Sequence, residues 1–166
     1  MLYEEPFRGL QVARVRYLIV GALAVNLHGV PRMTADLDLM VDMEPDNLRT
    51  FIHTLDTLGY RPRDPVSPEA FLDPAIRSEW QTQKAMIVFT WLRPGRPYEE
   101  VDHFVENPIE FGPAYGRRVE VTVGDIRIPL ASIFDLIALK RLSGREQDRS
   151  DIEALEQLQR LEEGTA

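Results

Sequence analysis

The chain of 166 residues contains no cysteine and only three histidines, so few side chains with a high affinity for metals are present. Without cysteine, neither disulfide bonds nor thiolate metal sites can form, and carboxylates become the principal strong ligands. Any bound metal is therefore expected to be a hard cation such as Mg²⁺, which prefers oxygen ligands.

Long hydrophobic runs are also missing. No stretch of about 18 consecutive uncharged apolar residues occurs, which argues against a membrane-spanning helix. The N-terminal sequence MLYEEPFRGL lacks the basic segment, apolar segment and small-residue cleavage site of a signal peptide. We therefore expect a cytoplasmic protein that makes no contact with a membrane.

Basic residues are outnumbered, because 19 lysines and arginines against 27 aspartates and glutamates give a formal net charge of −8. This charge repels polyanions and disfavours non-specific binding of DNA or RNA, although it also serves simply to keep a protein soluble. Apolar residues make up 44% and charged residues 28%, the balance of a globular protein. We predict one domain over residues 1–166, with a core at about 15–130 and C-terminal helices at about 131–164.

Hydrophobic periodicity predicts strands and helices in alternation, then a run of strands and two final helices. Strand-like segments lie at 15–20, 33–42, 84–92 and 99–106 and in a hairpin at 119–130. Helical spacing with glycine or proline stop signals predicts helices at 22–29, 46–59, 132–142 and 150–164. The proline-rich segment 61–79 is predicted to be mostly loop. This order indicates an α+β fold, with a mixed sheet of about five strands flanked by helices.

Two aspartates interrupt the second predicted strand. Asp36 and Asp38 are two residues apart, which puts both carboxylates on one face with Cβ atoms roughly 6 to 7 Å apart. Unpaired, the two charges repel each other. Two Mg²⁺ ions about 3.5 to 4 Å apart would remove this repulsion and create a site for in-line displacement at phosphorus. A third carboxylate is expected in such a site, and Asp102, on a later strand, is the best candidate. The plain alternative is a solvated sheet face on which arginines pair with the aspartates.

A glycine precedes this pair in a context that favours phosphate binding. Gly21 lies between the first predicted strand and the first predicted helix. Free backbone N–H groups and the positive end of the helix dipole can hold a phosphate at such a turn. The phosphate-binding turn at Gly21 and the carboxylates of Asp36 and Asp38 would then belong to one strand–helix–strand unit.

This unit resembles the signature of the nucleotidyltransferase superfamily, whose fold is similar to the catalytic palm of DNA polymerase β. Gly21-Ala22 is followed after thirteen residues by Asp36-Leu37-Asp38-Leu39. The longer pattern is similar to that of the nucleotidyltransferase-like toxins of bacterial abortive-infection and toxin–antitoxin systems. Its matching residues here are Gly21, Ala24, His28, Gly29, Pro31, Arg32, Thr34, Asp36 and Asp38. The resemblance extends over residues 16–42, 99–105 and 119–158.

The resemblance implies a role for each matching residue. Asp36, Asp38 and Asp102 would be catalytic metal ligands, and Lys140 would approach the triphosphate or the carboxylates. Nucleotide and phosphate would be bound by Gly21, Ala22, Arg32 and Thr34. The implied cofactors are two Mg²⁺ ions, with Mn²⁺ as an alternative, and the implied substrates are an NTP such as ATP and an acceptor hydroxyl. RNA such as tRNA, a partner protein and a small molecule are all candidate acceptors.

One position departs from the family pattern, because Ala22 stands where glycine or serine is usual. A serine hydroxyl that would contact phosphate is absent, although the backbone N–H remains. Two rivals to the enzyme therefore stay open. The first is a degenerate member that binds nucleotide or a partner without catalysis, and the second is a stand-alone antitoxin or scaffold.

Single basic and histidine residues each have a structural interpretation as well. Lys140 lies in line with the apolar residues of its predicted helix, so its amine either reaches the site or extends to water. Arg32 either touches phosphate or pairs with a carboxylate, and His28 is favoured as a hydrogen-bonding residue at a helix end. Arg141, Arg145 and Arg149 could form a basic edge for an acceptor, but acidic residues alternate with them, which favours a solvated ion-pair surface.

Overall fold

The computed structural model describes residues 2–165, which form a mixed sheet covered by helices. The strands are β1 (Tyr17–Ile19), β2 (Leu37–Val41), β3 (Arg61–Pro62), β4 (Val88–Leu92), β5 (Glu100–Phe104), β6 (Val119–Val123) and β7 (Ile126–Leu130). The helices are α1 (Glu4–Val12), α2 (Gly21–Leu27), α3 (Pro45–Thr57), α4 (Pro74–Lys84), α5 (Phe111–Gly116), α6 (Ile133–Ser143) and α7 (Glu146–Thr165). A short 3₁₀ helix spans Pro68–Leu72. The predicted α+β class is confirmed.

The seven strands lie in the order β3-β4-β5-β2-β1-β7-β6. Strand β2 is central; it pairs antiparallel with β1 and parallel with β5, while β1 pairs parallel with β7. The outer pairs β3–β4, β4–β5 and β6–β7 are antiparallel. The prediction of about five strands is therefore too low. Strand β3 has only two residues, one of them a proline, so no apolar alternation marks it in the sequence.

One face of the sheet packs against α3 and the segment that follows it. His103 of β5 lies on this face, with its ring 5.1 Å from that of Phe51 and 4.7 Å from that of Phe71 between centroids. Because successive strand residues point to opposite faces, Asp102 faces the other side. The sheet therefore separates a packed aromatic layer from the face that carries the carboxylates.

Helix α6 begins where the sequence predicts, because Ser132 caps it by accepting a hydrogen bond of 3.1 Å from the backbone N–H of Asp135. His28, at the end of α2, lies with its Nε2 2.8 Å from the carbonyl oxygen of Ala131. This contact matches the interpretation of His28 as a hydrogen-bonding residue at a helix end. In the part of the chain described, no helix combines the length and apolar character needed to cross a membrane.

Candidate active site

Two of the predicted acidic residues lie directly beside each other on neighbouring strands. The parallel register of β2 and β5 places Asp38 opposite Asp102. Residues paired in this way point to the same face of the sheet, and both side chains line one cleft. The fold therefore brings together two carboxylates, at positions 38 and 102, that are 64 positions apart in the sequence.

Asp36 is less closely integrated into this pair. It precedes the first residue of β2 and is exposed, yet its charge acts on both Asp38 and Asp102. Within residues 2–165, no group of three or more acidic or histidine side chains is close enough to hold a metal ion by itself. Mg²⁺ usually takes only one or two protein carboxylates and completes its shell with water and phosphate oxygens. The donor set of Asp38 and Asp102 therefore fits such an ion.

The electrostatics of the pair support this fit. Burial, reinforced by the charges of Asp102 and Asp36, raises the pKa of Asp38 to about 6, although Arg145 and Lys140 oppose the rise. Burial likewise raises the pKa of Asp102, against a lowering effect of its hydrogen bond from Thr90. No arginine or lysine in the described part of the chain forms an ion pair with either carboxylate. A bound cation would therefore relieve an unfavourable concentration of negative charge.

Gly21 lies in direct contact with Asp38. Its φ of +66° belongs to the left-handed region, which residues with a side chain rarely adopt. A Cβ atom at this position would lie 2.1 Å from Oδ2, 2.7 Å from Cγ and 2.9 Å from Cβ of Asp38. Only glycine lets the turn between β1 and α2 approach the carboxylate so closely. The predicted phosphate turn and the predicted metal ligand are therefore neighbours.

The other residues expected at the turn lie around it. Ala22 occupies the first turn of α2, where its side chain is partly exposed and supplies no hydroxyl. Thr34 donates a long hydrogen bond of 3.5 Å to the carbonyl oxygen of Asp36. Both lie close in sequence to Gly21 or the carboxylates, and neither lines the cleft itself.

Lys140 belongs to a buried ionic network at the edge of the cleft. Its Nζ donates to Asp151 Oδ2 over 2.6 Å and to Asp148 Oδ1 over 3.3 Å. Arg32 also binds Asp151, with 2.7 Å between its guanidinium nitrogen and Oδ1. The amine of Lys140 therefore does not extend to water, and Arg32 pairs with a carboxylate. The network links α6 and α7 to the segment that leads into β2.

Two side chains at the site are missing from the sequence prediction. Arg145 lines the cleft with a side chain that is 70% exposed, and its Nε donates to Ser143 Oγ over 2.9 Å. Because acidic residues lie near Arg145 in the sequence, the sequence pattern favours a solvated surface position instead of the cleft. Thr90 donates a hydrogen bond of 2.5 Å to Asp102 Oδ1. Pairing the two predicted strands across the RPGRP turn would have placed Thr90 opposite Asp102.

The hydrogen bond from Thr90 provides a test of the role of Asp102. The Thr90→Val variant keeps the shape of the side chain but removes the donor, so the pKa of Asp102 should rise further. If ionised Asp102 is needed for activity, the acid limb of the pH–activity profile moves to higher pH. Thr90→Ser, which retains the hydroxyl, should keep the original profile, as should Thr122→Val on the exposed strand β6. An unchanged profile in Thr90→Val would contradict the assignment.

The cleft has a volume of about 580 Å³ and lies between α6 and the face of β2, β4 and β5 that carries the carboxylates. Its size suits a nucleotide-sized ligand, since ligand pockets are typically about 300–1,000 Å³. Three features together define a nucleotidyltransferase fold: the turn at Gly21, the paired carboxylates on adjacent strands, and the cleft covered by α6. The chain belongs to the family described as "Nucleotidyltransferase of unknown function (DUF6036)", whose model matches residues 9–163.

Solved structures agree with this fold. The lincosamide antibiotic adenylyltransferase LnuA, bound to lincomycin, superposes with a TM-score of 0.59 at 18% identity, over 93% of this chain and 96% of that one. The antibiotic-resistance factor ANT(2″)-Ia gives 0.58 at 13% identity, over 99% and 90% of the two chains. An antigenic nucleotidyltransferase-like protein from Paracoccidioides brasiliensis gives 0.53 at 20% identity, over 90% and 71%. No curated protein matches significantly in sequence.

Proposed function

We propose that this protein transfers a nucleoside monophosphate from an NTP to an acceptor hydroxyl. The observation that carries the proposal is the register pairing of Asp38 with Asp102 beside the backbone of Gly21. This arrangement puts a site for a cation next to a turn that lets polyphosphate approach closely. Both features are needed for displacement at the α-phosphorus, where positioning and charge stabilisation supply most of the catalysis.

Asp38 and Asp102 would hold Mg²⁺, with Mn²⁺ as the alternative, and Asp36 would add negative charge beside them. When bound, such a cation neutralises charge on the phosphate oxygens. Two ions are the expectation from the family resemblance. Both carboxylates have raised pKa values, and neither is in an ion pair with a basic residue of the described chain, which supports cation binding at this pair.

The chain's own groups would orient the reactants. Backbone N–H groups at Gly21 and Ala22 would seat the triphosphate, and the positive charges of Lys140 and Arg145 would lie near it. The acceptor oxygen attacks the α-phosphorus as its proton passes to Asp102. The bond from that phosphorus to the bridging oxygen breaks on the opposite side, and pyrophosphate leaves. The bond from the acceptor oxygen to the α-phosphorus therefore forms as the bond to pyrophosphate breaks, in a single in-line step.

The solved neighbours support a small-molecule acceptor and an adenylyl donor. LnuA is described as a lincosamide antibiotic adenylyltransferase, and ANT(2″)-Ia has been solved with adenylyl-2″-tobramycin. Transfer to tRNA or to a partner protein, as in a toxin–antitoxin system, is the alternative suggested by the sequence resemblance. The net charge of −8 favours the small molecule over RNA.

Label transfer tests the proposed function. The protein is incubated with α-labelled NTPs, Mg²⁺, and either small hydroxyl compounds, bulk RNA or cell lysate. We expect labelled product from the wild type and from Asp64→Asn, an exposed aspartate away from the cleft, and none from Asp102→Asn. Nucleotide binding without product in every mixture would instead support the non-catalytic member suggested by Ala22. Absence of an Mg²⁺-dependent thermal shift with NTP would favour the antitoxin or scaffold.

Arg145 gives a separate prediction about nucleotide binding. Its guanidinium is largely exposed at the cleft, and among residues 2–165 it is held by Ser143 and, at 4.0 Å, by Asp148. A hydrogen bond to a charged group contributes about 1.5 to 3 kcal/mol, so Arg145→Ala should raise the KM for NTP about tenfold or more. Arg149→Ala removes an exposed arginine in the first turns of α7, outside the cleft, and should change KM little. Equal effects of the two variants would remove Arg145 from the site.

A further inference from the structure

We propose that the acceptor carries an apolar body, which is held by an apolar wall made of Ile87, Val88, Phe104 and Leu142. The inference rests on the proposed function and names the class of acceptor: a small hydroxyl compound, uncharged or singly charged, with an alkyl or ring portion beside the reacting hydroxyl.

The wall begins directly beside Asp102. In the antiparallel register of β4 and β5, Thr90 lies opposite Asp102 and Val88 lies opposite Phe104. Residues two apart on a strand share a face, so this apolar pair follows the polar pair along the same surface. Ile87 extends the wall beyond the start of β4 and, like the pair, lines the cleft.

Water reaches much of this apolar surface. Ile87 is 69% exposed, Val88 is 40% exposed and Leu142, near the end of α6, is 63% exposed. Leu136 and Leu139 of α6 also line the cleft and add to its apolar surface. Clustered exposed apolar side chains at the mouth of a cleft are typical of surfaces that bind a ligand.

The order of strands assigns the wall to the acceptor side. Gly21 follows β1, and the order β1-β2-β5-β4 places it on one side of the carboxylate pair and Val88 on the other. In an in-line displacement, the attacking and leaving oxygens lie on opposite sides of phosphorus. If pyrophosphate leaves along the turn at Gly21, the acceptor must approach from β4. The wall therefore lies where the acceptor binds.

The basic side chains of the cleft and the composition of the wall disfavour two other classes of acceptor. Its basic side chains among the described residues are Lys140, which is bound to two carboxylates, and Arg145. Two cations do not form the continuous basic surface that a polynucleotide needs. The wall itself carries no acidic side chain that would bind a polycation. An uncharged or singly charged compound with an apolar portion fits both conditions.

The test compares probes that differ in their apolar portion. Glucose and n-octyl glucoside, the latter below its micelle-forming concentration, share a sugar ring but differ by an alkyl chain. With α-labelled NTPs and Mg²⁺, we expect kcat/KM for octyl glucoside to exceed that for glucose by about tenfold or more, as apolar pocket contacts allow. Tobramycin and single-stranded RNA should be poorer acceptors than octyl glucoside.

Matched variants connect the preference to the wall. The double variant Ile87→Thr with Val88→Thr should abolish the preference for octyl glucoside. Val123→Thr should retain it, because Val123 is also 40% exposed on a strand but lies on β6, outside the cleft. Equal use of glucose, or a preference for RNA or tobramycin, would overturn the inference. A raised KM for NTP in the double variant, with acceptor preference unchanged, would assign the wall to the nucleobase and overturn it as well.

A binding measurement separates this inference from the proposed function. Saturation-transfer NMR detects octyl glucoside on the protein without any chemical step. If no NTP yields labelled product with any acceptor, the transferase proposal fails, yet binding that is lost in the double variant and kept in Val123→Thr still supports the apolar wall. No difference between these two variants in binding would overturn it.

Discussion

Asp38→Asn is expected to raise the free energy of unfolding of the ligand-free protein at pH 8 by about 3 kcal/mol, since each pKa unit is worth about 1.4 kcal/mol. The reason is that burial, with Asp102 and Asp36 nearby, raises the pKa of Asp38 from 3.8 to about 6. At pH 8 the folded protein must therefore hold a carboxylate in a setting that favours its neutral form. Asparagine has a similar shape and no charge.

The sign of the pH dependence follows from the same pKa. Below about pH 4, Asp38 is protonated in both the folded and the unfolded chain, so Asp38→Asn should change stability little. Between about pH 4 and pH 6 the Asp38 carboxyl ionises in the unfolded chain but stays largely protonated in the folded one. The stability that Asp38→Asn gains over the wild type therefore grows across this range. Well above pH 6 this difference in unfolding free energy should be constant. Urea denaturation of both proteins at pH 4, 6 and 8 measures the difference.

The same substitution should remove nucleotidyl transfer, by about 10³-fold or more, as for loss of a principal charge-stabilising group. Asp64→Asn is the matched control, because Asp64 is exposed and lies outside the cleft, and neither stability nor activity should change much. A variant that is less stable than the wild type at pH 8 would show that Asp38 forms favourable interactions in the ligand-free fold. A fully active variant would exclude Asp38 as a metal ligand.

Gly21→Ala is expected to lower both stability and activity severely. The added Cβ would overlap Asp38 at its Oδ2, Cγ and Cβ, and rotation of the aspartate relieves only the first two contacts. The backbone must therefore shift, in addition to the strain of a non-glycine residue at φ +66°. We expect a loss of about 3 kcal/mol in unfolding free energy, at the upper end for strained backbone. Displacement of Asp38 should also reduce transfer by about 10²-fold or more.

The variant Gly59→Ala separates the effect of backbone strain at a positive φ from the effect of steric overlap with a neighbouring side chain. Gly59 also has a positive φ, of +86°, but a Cβ there would meet no atom within 4 Å. This variant should lose about 1 kcal/mol from strain alone and retain activity. Chemical denaturation and label transfer on both variants give the comparison. If the two lose stability equally, the contact between Gly21 and Asp38 has no energetic consequence.

Local patterns in the sequence predict much of the fold around the site. The apolar run before Gly21 and the alternation through Asp38 identify β1 and β2, because strands buried against helices leave a clear periodicity. The prolines of segment 61–79 predict mostly loop with room for one helical turn, whereas the structure has helix α4 from Pro74 to Lys84. Pro74 instead occupies the first turn of α4, where a missing N–H costs nothing, and Asp73 caps the helix by accepting from the N–H of Ala75.

Long-range contacts account for what the sequence alone does not predict. The adjacency of Asp38 and Asp102 depends on the parallel pairing of β2 with β5, which no local pattern specifies. The need of a metal site for a further carboxylate, together with the family resemblance, favours Asp102, but neither predicts the strand register. The pair Arg32–Asp151 joins residues 119 positions apart, and its charges could equally have faced solvent. Arg145 was assigned to the surface because its sequence neighbours are acidic, while the approach of α6 to the sheet decides its position at the cleft.

Calorimetric titration with a non-hydrolysable NTP analogue tests most directly whether Asp38 and Asp102 act together as a cation site. We predict that Mg²⁺ tightens binding to the wild-type protein by about tenfold or more, since a cation held by Asp38 and Asp102 would neutralise charge on the phosphate oxygens. Neither Asp38→Asn nor Asp102→Asn should show this gain, although both should still bind the analogue weakly. Binding to the wild type that is indifferent to Mg²⁺, or an undiminished Mg²⁺ effect in both variants, would contradict the account.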